Sequence, residues 1–280
     1  MKIGILTIAT GRYSMYIPEL IESCEELFLE NHDKEYFVYT DSDIESLGHF
    51  KGSEKITKIH QEKLGWPYDS MMRFHMFDAF KDILSGTDYL FFMNANMKVV
   101  SRIDESILPS ENKCGIVATR HPGFHRRNPG INYPHESNPQ SSFFVNLRDR
   151  SNYFQGCFNG GRSKEFLKMC EILKNNMDTD LKNNIVPIWH DESAINWYLE
   201  KKDPLVLYPT YAYPEYCDGN IIKKALLEKN NDEDIPSLYP DFSEAANPVD
   251  PFKHLIDEFS EPRIIQRNKN KDGGKIYLRK

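Results

Sequence analysis

The 280-residue sequence has few cysteines, and their arrangement argues against two kinds of site. Its five cysteines are odd in number and form no Cys-x-x-Cys pair. Neither a disulfide framework nor a zinc site is therefore predicted. A reducing cytoplasm is the expected location.

The sequence also lacks an apolar run that could cross a membrane, which takes about 18 residues. Its amino-terminal segment, MKIGILTIATGRY, is apolar only in short stretches, because Gly4, Thr7 and Thr10 interrupt it, and no cleavage-site pattern follows. We interpret this segment as the first strand. We expect a cytoplasmic protein without a transmembrane segment, with peripheral attachment to the inner membrane left open. The oligomeric state is left unassigned.

The sequence has fewer basic than acidic residues, since 35 Lys and Arg against 42 Asp and Glu give a net charge of −7. Such a chain has no general attraction to nucleic acids or anionic membranes, so no nucleic-acid partner is expected. The carboxyl-terminal segment QRNKNKDGGKIYLRK reverses this sign and is locally basic. A hydrophobic content of 40% is enough for a large core.

The order of the apolar segments predicts an α/β protein with a parallel or mixed sheet flanked by helices. Strands are predicted at 2–8, 35–40, 55–59, 88–93 and 114–118, and helices at 17–30, 70–84, 163–175 and 192–201. Residues 121–152 are rich in Pro, Asn, Arg and Gly, which predicts a long loop over a site. The acidic, proline-bearing stretch 231–251 is predicted to be loosely packed.

Two asparagines, Asn94 and Asn96, follow directly on the apolar segment Tyr89–Met93. A buried strand that ends in polar side chains opens into the crevice where α/β proteins bind ligands. Carboxylates at this place would hold a divalent cation, whereas neutral amides hold one poorly. Asparagine is also a common turn residue, so a purely structural role stays open.

A second polar cluster lies in IVPIWHDESAINWYL, residues 185–199. Trp189, His190, Asp191 and Glu192 stand where an apolar stretch ends and an amphipathic helix begins. Asp191 or Ser193 could cap this helix, and the helix dipole favours an acidic first turn, so a cap alone would explain the motif. The glycine pair of YFQGCFNGGRS is predicted to let the backbone approach a ligand, which favours a binding site instead.

Together these motifs resemble glycosyltransferase family 6, the retaining α-1,3-galactosyl- and N-acetylgalactosaminyltransferases that include the blood-group A and B enzymes. The resemblance extends from TIATGRY through LGWPYDSMMRFHMF, DYLFFMNANMKVV, HPGF, NGGRS and WHDES to the basic tail. It is strongest for bacterial members, in which Asn-x-Asn replaces the metal-binding Asp-x-Asp. It implies a GT-A fold, an α/β architecture with a Rossmann-like mixed sheet flanked by helices. Its parts would be a nucleotide-sugar-binding part (1–118), an acceptor-binding and catalytic part (119–240), and an acidic connector with a basic lid (241–280).

The resemblance implies a transferase that moves galactose or N-acetylgalactosamine from a UDP-sugar to a galactoside, an oligosaccharide or glycolipid fucosylated as in blood group H. No metal and no other cofactor is expected. Asn-x-Asn removes two negative charges next to the pyrophosphate, and with them the repulsion that requires a cation. Lysines and arginines of the tail are then candidates to stabilise the departing UDP. The alternatives are a manganese-dependent transferase and a non-catalytic, sugar-binding relative.

The resemblance also implies the role of each site residue. Glu192 lies at the position of the catalytic glutamate, either as the nucleophile of a double displacement or as the stabiliser of an oxocarbenium-like centre in a front-face route. At the position of Cys157, a glycine would leave room for the acetamido group of N-acetylgalactosamine. The larger cysteine closes this space and favours UDP-galactose. The acceptor-binding positions are His121, Phe124, Trp189 and His190. The donor-binding positions are Ile8, Ala9, Thr10, Tyr13, Arg73, Asn94, Asn96, Gln155, Gly156, Cys157, Asp191, Lys271 and Arg279.

Overall fold

The computed structural model describes residues 1–43, 47, 48, 50, 52–124, 133–149, 151–214 and 264–266. The strands are β1 (Lys2–Ile8), β2 (Asp33–Thr40), β3 (Ile56–His60), β4 (Tyr89–Met93), β5 (Met97–Val99), β6 (Ile116–Arg120), β7 (Phe154–Arg162), β8 (Leu205–Leu207), β9 (Tyr213–Pro214) and β10 (Ile264–Gln266). The helices are α1 (Ile17–Leu27), α2 (Tyr68–Met71), α3 (Arg73–Ala79), α4 (Lys81–Leu84), α5 (Ser163–Lys182) and α6 (Asp191–Leu199). The predicted stretch 231–251 and part of the predicted long loop lie outside the described residues.

Seven strands form one mixed sheet in the order β3-β2-β1-β4-β7-β6-β8. β7 runs antiparallel to β4 and β6, whereas β1, β2, β3 and β4 pair in parallel, as do β6 and β8. The chain leaves β1 towards β2 on one side and later returns to β4 on the other, which makes the carboxyl ends of β1 and β4 a topological switch point. This arrangement confirms the predicted α/β class and is of the GT-A type. The sheet also takes β7 and β8 from the predicted acceptor-binding part, so the two parts share it.

Both faces of the sheet are buried, which explains the nearly continuous apolar runs of β1 and β4. Successive residues point to opposite faces, so Ile5 and Phe91 pack on the α1 side while Leu6 and Phe92 pack on the α3 and α5 side. The buried positions of α5 recur at helical spacing: Phe166, Met169, Cys170, Leu173 and Met177. Each such side chain contributes about 1.5–3 kcal/mol on full burial.

The five predicted strands are confirmed, whereas the predicted helix at 70–84 is wrong in detail. It is three short helices, because Met72 (φ −86°, ψ 6°) and Phe80 (φ −116°, ψ 19°) leave α-helical geometry. The start of β6 is also later than predicted, because Cys114 and Gly115 take positive φ angles of 47° and 66° and form a turn. In the described ranges every helix is too short or too polar to traverse a bilayer.

Sequence reasoning missed β7 as a strand, since glycine and asparagine are poor strand formers. A Cβ on Gly160 would lie 2.5 Å from the Leu90 carbonyl oxygen, and one on Gly161 would lie 2.3 Å from the Gly115 carbonyl oxygen. The glycine pair therefore allows β7 to fit between β4 and β6. The prediction that it admits a ligand was wrong.

A three-stranded sheet, β5-β10-β9, lies next to the site described below. β10 runs antiparallel to β5, and its last residue, Gln266, pairs with Met97. Met97 follows Asn96 directly in the chain. The basic carboxyl-terminal segment therefore starts beside the asparagine pair.

Candidate active site

Residues far apart in sequence meet where β4 ends and β7 begins. The Asn94 N–H donates to the Cys157 carbonyl at 3.0 Å, and the Gly156 N–H donates to Glu192 Oε1 at 2.9 Å. The first turn of α6, the end of β4 and the start of β7 thus form one edge of the crevice. This edge contains seven of the eighteen predicted site residues: Asn94, Asn96, Gln155, Gly156, Cys157, Asp191 and Glu192.

Glu192 is partly buried, with both carboxylate oxygens hydrogen-bonded. Besides the Gly156 N–H on Oε1, the Tyr153 hydroxyl donates to Oε2 at 3.1 Å. Burial and the neighbouring Asp191 raise the pKa of Glu192 to about 7, against the lowering effect of these hydrogen bonds and of Arg73. A carboxyl group in a crevice that titrates near neutral pH is typical of a functional site.

Gly156 allows the close approach of β7 and α6. A Cβ at this position would lie 2.5 Å from Asp191 Oδ2 and 3.2 Å from Glu192 Cγ. The absent side chain makes room for the two carboxylates, and the Gly156 N–H group binds that of Glu192. Substitution at this position would displace the first turn of α6.

Arg73 lies beneath the site, with a side chain only 2% exposed. Its Nη1 is 2.9 Å from Asp191 Oδ2 and donates to the Gly156 carbonyl at 2.7 Å. The guanidinium carbon lies 4.4 Å from the centroid of the Phe92 ring, a cation–π geometry. Arg73 was predicted to contact the donor. In the structure its guanidinium binds Asp191 and the β7 backbone, and the donor contact stays a prediction. Asp191 is 13% exposed.

Of the helix-capping explanation of the WHDES motif, the predicted side-chain cap was wrong, whereas the acidic first turn of α6 is confirmed. The residue at the N-cap position of α6 is His190, and no side chain there makes a capping hydrogen bond. Asp191 pairs with Arg73, Glu192 binds Gly156 and Tyr153, and the Ser193 hydroxyl accepts from the Trp189 N–H at 3.0 Å. The two carboxylates of α6 therefore bind residues at the edge of the crevice and do not cap the helix.

Asn94 and Asn96 form the tight turn between β4 and β5, in which the Asn94 carbonyl accepts from the Met97 N–H at 3.0 Å. Asn94 is partly exposed, and Asn96 is 8% exposed. The structural role is thus real, and it leaves the Asn94 side chain accessible. In the described ranges no three His, Cys, Asp or Glu residues come together as a metal-binding group.

The segment after β1 is anchored to the end of β2. The Ala9 N–H donates to the Tyr39 carbonyl at 2.8 Å, and the Thr40 hydroxyl donates to the Ala9 carbonyl at 2.7 Å. Gly11, at φ 56°, donates its N–H to Asp41 Oδ1 at 2.7 Å. These contacts fix the backbone of the segment that holds four predicted donor-binding residues: Ile8, Ala9, Thr10 and Tyr13. Burial, followed by the charge of Asp69, raises the pKa of Tyr13, so its hydroxyl stays protonated.

Comparison with known proteins decides the family. The pattern of glycosyltransferase family 6 matches residues 1–231. The chain belongs to glycosyltransferase family 6. It is 33% identical to the O-antigen biosynthesis glycosyltransferase WbnI of Escherichia coli over 83% of this chain and 97% of that protein. It is 28% identical to histo-blood group ABO system transferase 2 of Rattus norvegicus, over 79% of this chain and 67% of that protein. It is 26% identical to globoside alpha-1,3-N-acetylgalactosaminyltransferase 1 of Homo sapiens, over 82% of this chain and 67% of that protein.

The chain is therefore a hexosyltransferase, as the sequence predicted, with a sugar donor and an acceptor.

The structure groups the two acceptor residues predicted in HPGF around a buried tyrosine. His121 and Phe124 lie 5.8 and 5.2 Å from Tyr153 between ring centroids, and 4.9 Å from each other. His135 contacts the same tyrosine at 5.3 Å. Sequence reasoning missed Tyr153 and His135, and the only signal was the aromatic pair that precedes Gln155.

The predicted acceptor residues Trp189 and His190 lie in the loop that enters α6. His190 has a φ angle of 54°, rare for a non-glycine residue and typical of strained functional positions. Its ring lies 4.8 Å from that of Trp66, and burial lowers its pKa, which favours the neutral imidazole despite Asp191. Glu136, which sequence reasoning also missed, accepts from the Ile188 N–H at 2.7 Å and fixes this loop.

Three consecutive residues predicted to bind the donor, Gln155, Gly156 and Cys157, do not line one surface in this glycosyltransferase. Gly156 faces the carboxylates of α6, whereas Gln155 and Cys157 are 5% and 7% exposed and turn to the other face. The Cys157 thiol donates to Gln155 Oε1 at 2.9 Å, and Gln155 Nε2 donates to the Ala212 carbonyl at 3.3 Å. Lys271 and Arg279, predicted to bind the diphosphate, lie outside the described residues.

Proposed function

We propose that this chain is a retaining α-1,3-glycosyltransferase of the bacterial Asn-x-Asn type. It moves galactose or N-acetylgalactosamine from a UDP-sugar to a galactoside without a metal ion. The observation that carries the proposal is the geometry of Glu192. A carboxylate hydrogen-bonded through both oxygens at the edge of a ligand crevice meets the need of either retaining mechanism.

Glu192 acts at C1 of the donor sugar, where the bond to the UDP oxygen breaks and the bond to the acceptor oxygen forms. With its pKa near 7, the carboxylate is increasingly ionised above neutral pH. Its charge stabilises the oxocarbenium-like transition state, either as a nucleophile opposite UDP or as the partner of an ion pair. In the ion-pair route the departing β-phosphate takes the acceptor proton, so no further base is needed.

The metal-free proposal rests on the charges near the diphosphate. Asn94 and Asn96 are neutral at the strand end where Asp-x-Asp members hold manganese. Gln266 pairs with Met97, next to this turn, and the residues after it in the sequence include six Lys or Arg and one Asp. Cations from that segment can neutralise the leaving diphosphate in place of a metal ion. Lys271 and Arg279 are the proposed donors.

The proposed acceptor is a galactoside, fucosylated as in blood group H, bound between the aromatic cluster and the loop that enters α6. The rings of His121 and Phe124 pack against the Tyr153 ring in T-shaped arrangements. Aromatic rings and a few placed polar groups are the usual lining of small-molecule sites. If the acceptor is a glycolipid, the enzyme works at the surface of the inner membrane.

UDP-galactose is the proposed donor, because the resemblance aligns Cys157 with a position where a glycine leaves room for an acetamido group. The test incubates the protein with UDP-galactose or UDP-N-acetylgalactosamine and a panel of galactosides, and determines the product linkage by NMR. We expect an α-1,3-linked product, formed faster from UDP-galactose. A product of inverted configuration would contradict the proposal. No turnover with any donor, together with sugar binding, would support the non-catalytic alternative.

Replacing Asn94 and Asn96 together with aspartate should lower activity in EDTA by about tenfold or more, because two new negative charges would face the diphosphate. The measurement is initial-rate UDP release in chelator. The matched control adds the same charge at exposed positions away from the crevice, Asn31→Asp with Asn175→Asp, and should leave the rate unchanged. Equal rates for the wild type and the Asn94→Asp, Asn96→Asp variant would show that the pair does not face the phosphates.

A further inference from the structure

Tyr153 connects two parts of the site that sequence reasoning treated separately. It directly precedes β7, is 3% exposed, and donates its hydroxyl to Glu192 Oε2 at 3.1 Å. The Tyr153 ring also packs against two aromatic side chains, since its centroid lies 5.2 Å from that of Phe124 and 5.8 Å from that of His121. One side chain therefore contacts both the carboxylate and the HPGF segment.

We propose that Tyr153 is a positioning residue for Glu192, which fixes the orientation and the ionised state of this carboxylate and links them to the acceptor segment. The inference rests on the proposed function, because it takes Glu192 as the group that acts at C1. Tyr153 itself acts through Glu192 and is assigned no contact with the donor.

Orientation follows from the two hydrogen bonds of Glu192. The Gly156 N–H belongs to β7, so its position is set by the sheet. With that bond alone, the carboxylate could still rotate and present either oxygen to the sugar. The Tyr153 hydroxyl fixes the second oxygen and holds the plane of the carboxylate. Placement of a reacting group within a fraction of an ångström is a large part of catalytic power.

The ionised state depends on the charges around Glu192. Burial and Asp191, on its own helix, favour the protonated form. Tyr153, the Gly156 N–H and Arg73 of α3 oppose them, although Arg73 is already paired with Asp191. In the described part of the chain, the Cys157 thiol of β7 is a further titratable neighbour, and burial raises its pKa so that it stays neutral. The phenol is thus a donor that favours the charged carboxylate without adding charge.

The position of Tyr153 is in turn fixed by packing. His135 lies 5.3 Å from its ring, and the His135 side chain is fully buried with Nε2 3.2 Å from Glu200 Oε2. Glu200 also accepts from the Ser151 N–H at 2.7 Å, which anchors the chain two residues before Tyr153. The phenol is therefore held on one side by this buried pair and contacted on the other by the acceptor segment. A shift of the acceptor segment on binding would be transmitted to Glu192.

The test variant is Tyr153→Phe, which keeps the ring and removes the hydroxyl. We expect kcat to fall by about 10- to 100-fold, with the KM for the donor nearly unchanged, since one charge-assisted hydrogen bond is lost. The acid limb of the kcat profile should move up by about one pH unit. The matched control is Tyr36→Phe, which loses the same kind of bond, from a buried tyrosine to Glu25 at 2.8 Å, outside the crevice. Its kcat and pH profile should equal those of the wild type.

A second measurement separates this inference from the proposed function. Carbon-13 NMR of carboxyl-labelled glutamate, with the Glu192 signal assigned by its loss in Glu192→Gln, gives the pKa of Glu192 without any substrate. A higher pKa in Tyr153→Phe than in the wild type supports the role of Tyr153 even if the wild type transfers no sugar, in which case only the proposed function fails. An unchanged Glu192 pKa in Tyr153→Phe overturns the inference, as does an unchanged kcat and pH profile in an active enzyme.

Discussion

Glu192→Gln is expected to lower kcat by about three orders of magnitude while the affinity for UDP changes little. The amide still accepts from the Gly156 N–H, so the local geometry is kept. It carries no charge, however, and the positive charge that develops at C1 in the transition state loses its partner. The measurement combines single-turnover kinetics with calorimetric titration of UDP.

The control for Glu192→Gln is Glu25→Gln on α1, where a carboxylate likewise accepts a tyrosine hydroxyl, that of Tyr36. This variant should retain wild-type kcat.

The fold of Glu192→Gln can be checked by unfolding at several pH values. Because burial raises the folded-state pKa from 4.5 to about 7, the wild type loses stability as the pH rises through this window, and the variant does not. A near-normal kcat in Glu192→Gln would remove Glu192 from the chemistry.

Deleting residues 267–280 is expected to lower metal-free transfer at least about 100-fold, because the cations proposed to stabilise the leaving diphosphate are lost. The cut is placed after Gln266, because β10 pairs with β5 and β9 and belongs to the small sheet. The measurement is initial-rate transfer in EDTA, with the thermal unfolding midpoint as the test of the fold.

A full-length variant with Lys271→Gln and Arg279→Gln distinguishes charge from chain length. If these two residues bind the diphosphate, this variant should approach the low rate of the truncated protein. A truncated protein that transfers sugar at the wild-type rate would show that the basic segment is not needed. The compensating charge would then have to come from Arg73 and its surroundings.

Local patterns in the sequence were sufficient to predict five of the ten described strands and the edge of the crevice. β4 is a buried apolar run that stops at Asn94, and this abrupt change of polarity marks the carboxyl end of a strand wherever it is in the sheet. The acidic start of α6 was likewise visible in the chain. Both signals depend on residues adjacent in sequence.

Contacts between distant segments could not be predicted in this way. The position of β7 between β4 and β6 depends on the missing side chains of Gly160 and Gly161, which in isolation indicate a loop. The burial of Arg73 follows from its pairing with Asp191, more than one hundred residues later in the chain. Tyr153 has no motif of its own, and its role is visible only when β7 and α6 are packed together.

The most direct test of the central claim is the transfer rate of metal-stripped protein in EDTA, with UDP-galactose and a fucosylated galactoside. We expect α-1,3-linked product at a rate that added manganese does not raise substantially. Product that forms only when manganese is present would contradict the assignment of the leaving-group charge to protein cations, and would place this chain among the metal-dependent members of the family.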